Sequence, residues 1–159
     1  MIDGVKIKKL KAHPDKHVEG EEIVKEPGFL IEILRDDENL LKKFGQSLMT
    51  LTHKGTIKAF HSHKLQDDHW FFATGKVKVV LYDTRESSST FKETQVIEAG
   101  ARDYKLITIP AGIAHGYKVL SDEPAILFYH VTELYDYDNP DEIRIPYNDK
   151  EINFNWEKI

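Results

Sequence analysis

Three histidines and an aspartate are the residues of this chain whose types and spacing could do chemistry: His61, His63, Asp68 and His115. His61 and His63 are two positions apart, so a β-strand would point both imidazole rings to one face. The tight turn expected at Pro110 to Gly112 would bring a second strand, carrying His115, beside the first. Imidazole and carboxylate groups gathered in this way can transfer protons near neutral pH or bind a metal ion.

The two stretches of sequence that carry these residues each have their own turn residues. The first runs from Gly55 through the histidine pair to Gly75, and the second runs from Pro110 to His115. Alternating polar residues could also mark only the solvated face of an antiparallel strand. Two separate blocks with glycines at their turns favour a functional site over that simpler interpretation, and they resemble the two conserved motifs of the cupin superfamily.

The length and composition indicate a single folded domain. The chain has 159 residues, of which 40% are hydrophobic, which is enough for one substantial core. We find neither the run of about 18 to 20 apolar residues that a membrane helix needs nor an apolar signal-peptide segment. We therefore expect a cytoplasmic protein with no membrane partner.

Charge and cysteine content exclude two further kinds of site. The formal net charge of −5 provides no basic field for nucleic acid, so we expect no nucleic-acid partner. The absence of cysteine excludes disulfides and thiolate metal sites, which leaves histidine, carboxylate and water as metal ligands. A small anionic substrate would need a local basic group.

Short stretches of alternating polar and apolar residues, separated by turns, recur along the chain and follow one another closely from residue 47 to residue 132. They predict an all-β fold, either a sandwich or a barrel. The predicted strands are 5–11, 29–35, 47–52, 56–63, 69–74, 76–83, 91–98, 104–109, 115–120 and 125–132.

Three segments outside these strands carry different expectations. The charged stretch from His13 to Lys25 is expected to be a loop or mobile arm. Residues Asp37 to Phe44 are expected to form one short helix with its apolar side chains facing inward. The tail from Tyr135 is rich in Asp, Asn, Pro and aromatic residues, and we expect it to be an ordered irregular strap.

A longer set of motifs runs from about Phe44 to Trp156. It consists of Gln46, Thr50, Thr52 and Gly55 before His61; Gln66, Gly75, Asp83 and Arg85; the block Ile109 to Tyr117; the block Phe128 to Tyr135; and Arg144, Asn148, Asp149, Ile152 and Trp156. In this order the motifs resemble those of the dTDP-4-dehydrorhamnose 3,5-epimerase family. Members of that family are jelly-roll cupins that isomerise nucleotide-activated 4-keto sugars.

The resemblance implies one cupin domain over residues 1–159, a double-stranded β-helix, or jelly roll, with few short helices. Its parts would be N-terminal strands and a loop at 1–43, the barrel at 44–132 and a C-terminal strap at 133–159. The resemblance also implies a homodimer with an exchanged N-terminal strand. The edge-strand character of residues 5–11 gives that exchange a physical motive.

The resemblance further implies an epimerase or isomerase that acts on a nucleotide-activated 4-keto-6-deoxy sugar without a cofactor. A ketone at C4 acidifies the hydrogens on C3 and C5, so an imidazole can remove one of them. By resemblance His61 would be this base, Asp149 would orient it, and Tyr129 would donate or relay a proton on the opposite sugar face. The positions implied to bind substrate are Gln46, Lys58, His63, Asp68, His115, Tyr135 and Arg144.

The chain departs from the family pattern at several of these positions. Asp68 stands where the family has a catalytic lysine, and Lys58 stands where it has an arginine suited to phosphate. His63 replaces a glutamine or a similar residue. Less securely aligned, Pro27 replaces an arginine that contacts the nucleotide, and Leu48 replaces an asparagine. These changes put the standard substrate of the family in doubt for this chain.

Two other interpretations compete with the metal-free epimerase, which is our primary prediction. His61, His63, Asp68 and His115 could together bind Zn, Fe, Mn or Ni, and such an ion could polarise the C4 carbonyl in place of the missing lysine. An ion that took His61 as a ligand would, however, remove it as the base. The third interpretation is a non-catalytic cupin that binds a sugar or nucleotide as a sensor.

Overall fold

The computed structural model describes residues 1–159, nearly half of which form antiparallel strands. The strands are β1 (Lys6–Lys9), β2 (Ala12–Glu19), β3 (Glu22–Ile31), β4 (Gln46–Thr52), β5 (Ile57–Ser62), β6 (Asp68–Phe72), β7 (Lys76–Asp83), β8 (Thr94–Gly100), β9 (Lys105–Ile109), β10 (Ile113–Val119), β11 (Ala125–Val131) and β12 (Ile143–Arg144). Two single-turn 3-10 helices lie at Asp36–Glu38 and Trp156–Lys158. Neither helical segment has the length and hydrophobicity to cross a membrane.

Two five-stranded sheets form the body of the protein. Their strand orders are β1-β9-β6-β11-β4 and β12-β5-β10-β7-β8, and the hairpin β2-β3 forms a separate two-stranded sheet. Every pairing is antiparallel. This arrangement confirms the all-β jelly-roll cupin fold predicted from the sequence.

Alternation along the strands builds the main core between the two sheets. On β7, Val77, Val79 and Leu81 point into this core, while Val80 and Tyr82 point to the other face. That other face is covered by the C-terminal strap, whose Trp156 packs on Phe60. The strap therefore buries the outer surface of the sheet that carries β5 and β10.

The segment from His13 to Lys25 is an ordered β-hairpin, so the prediction of a loop or mobile arm was wrong. Strands β2 and β3 pair over most of their length, and Glu19 lies opposite Glu22 across a turn that contains Gly20 at φ +63°. The charged composition was misleading because a two-stranded ribbon has no buried face. Its residues can therefore remain polar in a strand.

The predicted helix at Asp37 to Phe44 was also wrong. The helical turn covers only Asp36–Glu38 and ends at Asn39, whose φ of 51° is left-handed. The following residues lie over the first sheet, where the Leu40 carbonyl accepts a hydrogen bond of 2.9 Å from His69 Nε2. Leu40 and Leu41 are only half-buried and Phe44 is 62% exposed, so these apolar residues do not form the inward-facing stripe that a helix would need.

Candidate functional site

A cavity of about 280 Å³ opens between the two sheets. Its walls come from strands of both sheets and from the start of the strap. It is lined by Gln46, Leu48, Thr50, Lys58, His61, His63, Gln66, Asp68, Trp70, His115, Tyr117, Leu127, Tyr129, Val131, Leu134, Tyr135, Asp141 and Glu142. Eight of the ten residues named from the sequence as catalytic or substrate-binding line this cavity; Asp149 and Arg144 do not.

A β-bulge in β5 determines the direction in which the side chains of Lys58 and His61 point. His115 pairs with His61, but Tyr117 pairs with Lys58, so two residues of β5 lie opposite the single Gly116. The extra residue allows Lys58 and His61, three positions apart, to face the same cavity. Simple strand alternation would have placed them on opposite faces.

The His61 ring lies beside a carboxylate from the strap. Its Nε2 is 3.6 Å from Glu142 Oε1, and its side chain is 43% exposed, so a substrate can reach it. Burial lowers the pKa of His61 below its ordinary value, and the Glu142 carboxylate offsets part of that shift. The imidazole is therefore neutral at neutral pH, as a general base must be.

Asp149, which the sequence suggested as the partner of His61, lies elsewhere in the structure. Its Oδ1 accepts hydrogen bonds from the backbone amides of Glu151 at 2.9 Å and Ile152 at 3.1 Å. It lines a second cavity, on the other side of the sheet, together with Tyr82 and Thr84. The structure does not bring Asp149 to His61, because its carboxylate closes a turn of the strap.

Deeper in the cavity, His63, Asp68 and His115 form a buried cluster. Asp68 Oδ1 is 3.9 Å from His63 Nε2, and Asp68 Oδ2 is 3.7 Å from His115 Nε2. Asp68 also accepts hydrogen bonds from Gln66 Nε2 at 2.7 Å and from Trp70 Nε1 at 2.9 Å. Burial lowers the pKa of His115 to about 4, so this ring is neutral at neutral pH.

Asp141 of the strap positions the loop that carries part of this cluster. Its carboxylate accepts hydrogen bonds from the backbone amides of Lys64, Leu65 and Gln66 at 3.0, 2.8 and 3.1 Å. Its carbonyl accepts a hydrogen bond from His63 Nδ1. The strap therefore holds the β5-β6 loop and fixes the orientation of the His63 ring.

Lys58 and Tyr129 complete the polar lining from opposite sheets. Lys58 Nζ donates a 2.6 Å hydrogen bond to Thr50 Oγ1, and burial lowers the pKa of its ammonium group. Tyr129 lies on β11, in the sheet opposite His61, and burial raises the pKa of its phenol. Lys58 therefore places a cation on the same strand as His61, while Tyr129 places a phenol on the wall that faces the base.

The cavity mouth is formed by aromatic and charged residues of the strap. Tyr135 packs edge to face against Tyr137 at 5.0 Å between ring centroids. Arg144 pairs with His61 across β12 and β5, but its side chain is 77% exposed and its Nε bonds Glu142 Oε1 at 3.0 Å. Arg144 therefore lies at the edge of the site.

Glu142 and Asp141 are the two site residues that sequence reasoning missed. They lie side by side in a stretch that otherwise resembles an irregular surface loop, and neither belongs to a short motif. The only signal available was the neighbouring Arg144, which the motif comparison did include. Arg144 is only two residues after Glu142, so both residues belong to the part of the strap that lies beside β5.

Comparisons with known proteins agree with this architecture. The profile of the family described as dTDP-4-dehydrorhamnose 3,5-epimerase matches residues 2–159. The spore coat polysaccharide biosynthesis protein SpsL of Bacillus subtilis is 50% identical over 156 residues, which are 98% of this chain and 97% of that protein. A probable low-salt glycan biosynthesis epimerase of Haloferax volcanii is 36% identical over 131 residues, which are 81% of this chain and 84% of that protein.

A solved structure shares the fold over nearly the whole chain. It is the dTDP-6-deoxy-D-glucose-3,5-epimerase of Legionella pneumophila in complex with dTDP-4-keto-L-rhamnose, which is 27% identical and superimposes with a TM-score of 0.81. The match covers 98% of this chain and 79% of the Legionella chain. The profile match and the relatives in sequence settle the family: this chain is an epimerase of the dTDP-4-dehydrorhamnose 3,5-epimerase family.

Proposed function

We propose that this enzyme inverts one or more stereocentres next to the ketone of a nucleotide-activated 4-keto-6-deoxy sugar, with His61 as the base and Tyr129 as the acid. The observation that carries the proposal is that these two residues line one cavity from opposite sheets. An epimerase must remove a proton on one face of the sugar and return one on the other. Two groups on facing walls are suited to that task.

The reaction balances without an oxidant or reductant. The C–H bond at C3 or C5 breaks, its proton passes to the neutral His61 imidazole, and the electron pair forms an enolate that includes the C4 oxygen. Tyr129 then gives its phenolic proton to the same carbon from the opposite face. Solvent restores both groups, so we propose that the proton transfers themselves need no organic or redox cofactor.

Glu142 supports His61 in this scheme. Its carboxylate lies within 3.6 Å of His61 Nε2 and stabilises the imidazolium that forms when the proton is removed. This is the task that the sequence assigned to Asp149. In the proposed mechanism Glu142, a different residue of the strap, stabilises the imidazolium from inside the cavity.

The class of substrate is inferred from the relatives. The Legionella epimerase binds dTDP-4-keto-L-rhamnose, and SpsL is named for polysaccharide biosynthesis. We propose that this chain acts in the cytoplasm on a related activated sugar destined for a polysaccharide. Lys58 and Gln46 on the cavity wall and Tyr135 at its mouth are the proposed contacts for the substrate.

Solvent deuterium provides the direct test. The purified enzyme, incubated in D₂O with dTDP-4-keto-6-deoxyglucose, should place deuterium at C3, C5 or both, detected by NMR. GDP, CDP and UDP 4-keto sugars tested in parallel would identify the carrier. Binding of these compounds with no exchange at either carbon would favour the sensor interpretation instead.

We also propose that the enzyme works as a homodimer. The β2-β3 hairpin exposes the apolar side chains of Val18, Ile23, Phe29 and Leu30, at 72, 66, 52 and 56% exposure. A second face, on β4, exposes Met49 and Leu51. If a second copy of the chain placed its β2-β3 hairpin on the β4 face, the apolar side chains of the hairpin and of β4 would be buried together. Light scattering should give twice the chain mass of 18.4 kDa, and a monomer at micromolar concentration would contradict the proposal.

A further inference from the structure

Backbone carbonyls fix the orientation of two imidazoles, the buried ring of His115 and the largely buried ring of His63. His63 Nδ1 bonds the carbonyl of Asp141, and His115 Nδ1 bonds the carbonyl of Ile113 at 2.9 Å. A carbonyl can only accept, so both Nδ1 atoms carry hydrogen. The lone pair of each neutral ring is therefore on Nε2, and both Nε2 atoms point to Asp68.

Around Asp68, the hydrogen-bond acceptors of His63, His115 and the Asp68 carboxylate outnumber the hydrogen-bond donors. His115 is only 3% exposed, and its Nε2 has no hydrogen-bond donor in the structure, while a carboxylate oxygen lies 3.7 Å away. The Gln66 amide nitrogen is a hydrogen-bond donor shared by two acceptors. It lies 3.3 Å from His63 Nε2 and 2.7 Å from Asp68 Oδ1. An imidazole lone pair that faces a carboxylate across a largely enclosed site is unfavourable unless a hydrogen-bond donor or a cation lies between them.

We propose that His63, Asp68 and His115 bind one divalent transition-metal ion. One ligand atom from each residue lies within 4.8 Å of the other two. Ligands at about 2.0 to 2.2 Å from an ion are separated by about 3.0 to 3.5 Å, so small side-chain movements would close the site. Two imidazoles and a carboxylate form the facial set that leaves coordination positions open, and each imidazole already has the outer hydrogen bond typical of a metal ligand.

The site leaves the base free. His61 lies outside the group of three, with its Nε2 beside Glu142 and its ring centroid 6.4 Å from that of His115. The conflict expected from the sequence, in which one imidazole would serve as both ligand and base, therefore does not arise. A metal ion and a histidine base can operate in the same cavity.

This inference deepens the proposed function, on which its catalytic part rests. Asp68 is an anion on the cavity wall, at the position where the sequence resemblance implies a lysine, and an anion there would not stabilise the enolate. An ion held by Asp68 would supply positive charge on this wall of the cavity and could stabilise the enolate oxygen. Gln66 must release His63 when the ion binds, since its amide lies against the same lone pair.

Metal titration tests the binding without reference to activity. Chelator-treated protein should bind one equivalent of Zn²⁺ by calorimetry, and Co²⁺ should give the visible absorption bands of a protein-bound ion. His63→Gln and Asp68→Asn should weaken Zn²⁺ binding by at least about tenfold, since even outer partners of metal ligands contribute about 10- to 100-fold. His61→Asn and the exposed His53→Gln should stay within about threefold of wild type, and circular dichroism should confirm that each variant is folded.

The outcomes separate this inference from the proposed function. Wild-type protein that binds neither Zn²⁺ nor Co²⁺ would overturn the site, while deuterium exchange by the same sample would leave the epimerase proposal standing. Loss of binding in His61→Asn would overturn the three-residue ligand set. Full exchange activity in metal-free protein would overturn the catalytic part. Stoichiometric binding together with exchange that falls on chelation and returns with Zn²⁺ or Mn²⁺ would support the whole inference.

Discussion

His61 Nε2 lies 3.6 Å from Glu142 Oε1, and this pair joins the barrel strand that carries the proposed base to the C-terminal strap. The carboxylate is mostly buried, with 15% of its side chain exposed, and Arg144 donates to the same oxygen at 3.0 Å. The hydrogen bond from Arg144 therefore orients the Glu142 carboxylate beside His61. Because the strap supplies this group, the base is complete only when the strap is folded against β5.

Replacement of Glu142 tests whether it positions the base. Glu142→Gln keeps the shape of the side chain but removes the charge that stabilises the imidazolium, so we expect kcat to fall by about 10- to 100-fold. KM should change by less than about threefold, because the substrate need not contact this group. Steady-state kinetics would show the split.

Asp149→Asn is the matched control for that experiment. The Asp149 carboxylate accepts hydrogen bonds from two backbone amides of the strap and lines a different cavity. Its replacement should therefore lower the melting temperature and change kcat by much less than Glu142→Gln does. A larger loss of kcat in Asp149→Asn than in Glu142→Gln would show that the orienting role predicted for Asp149 from the sequence is correct.

Removal of the base itself should abolish turnover and preserve the fold. His61 is 43% exposed and lies outside both hydrophobic clusters, so His61→Ala creates no buried cavity. General bases contribute about 10²- to 10⁴-fold, and we expect a loss of kcat within that range. Residual turnover above about a tenth of wild type, measured by deuterium exchange, would remove His61 as the base.

The sequence predicted the barrel well because its strands have one buried and one exposed or strap-covered face. On β7 the alternation of Val77, Val79 and Leu81 gives both the element and its orientation. The same rule failed for the β2-β3 hairpin, whose residues have no buried face to mark. Alternation marks a strand most clearly where burial differs between its two sides, and it gives no signal in a ribbon that is exposed on both.

The site was predicted less completely than the fold, for reasons that lie in tertiary structure. His61, His63, Asp68 and His115 share one cavity, as their spacing suggested, but Glu142 reaches it from a strap with no local pattern. The proposal that His63, Asp68 and His115 bind a metal ion without His61 depends on which ring nitrogens bond to backbone carbonyls. No sequence rule fixes that choice.

The Asp83 cluster should make stability depend on acid pH. Burial opposes ionisation of this carboxyl, but hydrogen bonds from Arg85 at 2.8 Å, Ser88 at 2.6 Å and Thr90 at 2.7 Å overcome that effect and hold its pKa well below the ordinary value. A lowered pKa in the folded state adds stability above the unfolded pKa of about 3.9, and that stability is lost as the pH falls toward the folded value.

Denaturant unfolding at several pH values checks this linkage. Asp83→Asn should lower the free energy of unfolding at pH 7 by about 3 kcal/mol or more, because it leaves the Arg85 guanidinium without its buried partner. It should also flatten the decline in stability below pH 4. Asp122→Asn is the control, since its carboxylate is 93% exposed and solvent screens its ion pair with Lys54, so it should change that slope much less than Asp83→Asn does. An unaltered acid slope in Asp83→Asn would contradict the assignment.

Gly116 should be essential because the bulge opposite it has no room for a side chain. An ideal Cβ at this position would lie 2.3 Å from Ala59 Cβ and 2.7 Å from the Lys58 carbonyl oxygen. Gly116→Ala must therefore shift β5, at a cost of about 1 to 3 kcal/mol, and the shift would move Lys58 and His61 relative to the cavity. We expect a lower melting temperature together with a fall in kcat.

Two further variants separate steric conflict from a general effect of removing glycine. Gly20→Ala, in the exposed hairpin turn with no atom within 4 Å, should lower stability slightly through its positive φ and leave kcat unchanged. Adding Ala59→Gly to Gly116→Ala removes the closest clash and should recover part of both stability and kcat. The remaining approach to the Lys58 carbonyl prevents full recovery. If the double variant is no better than Gly116→Ala alone in either measurement, contact with Ala59 is not what requires glycine at position 116.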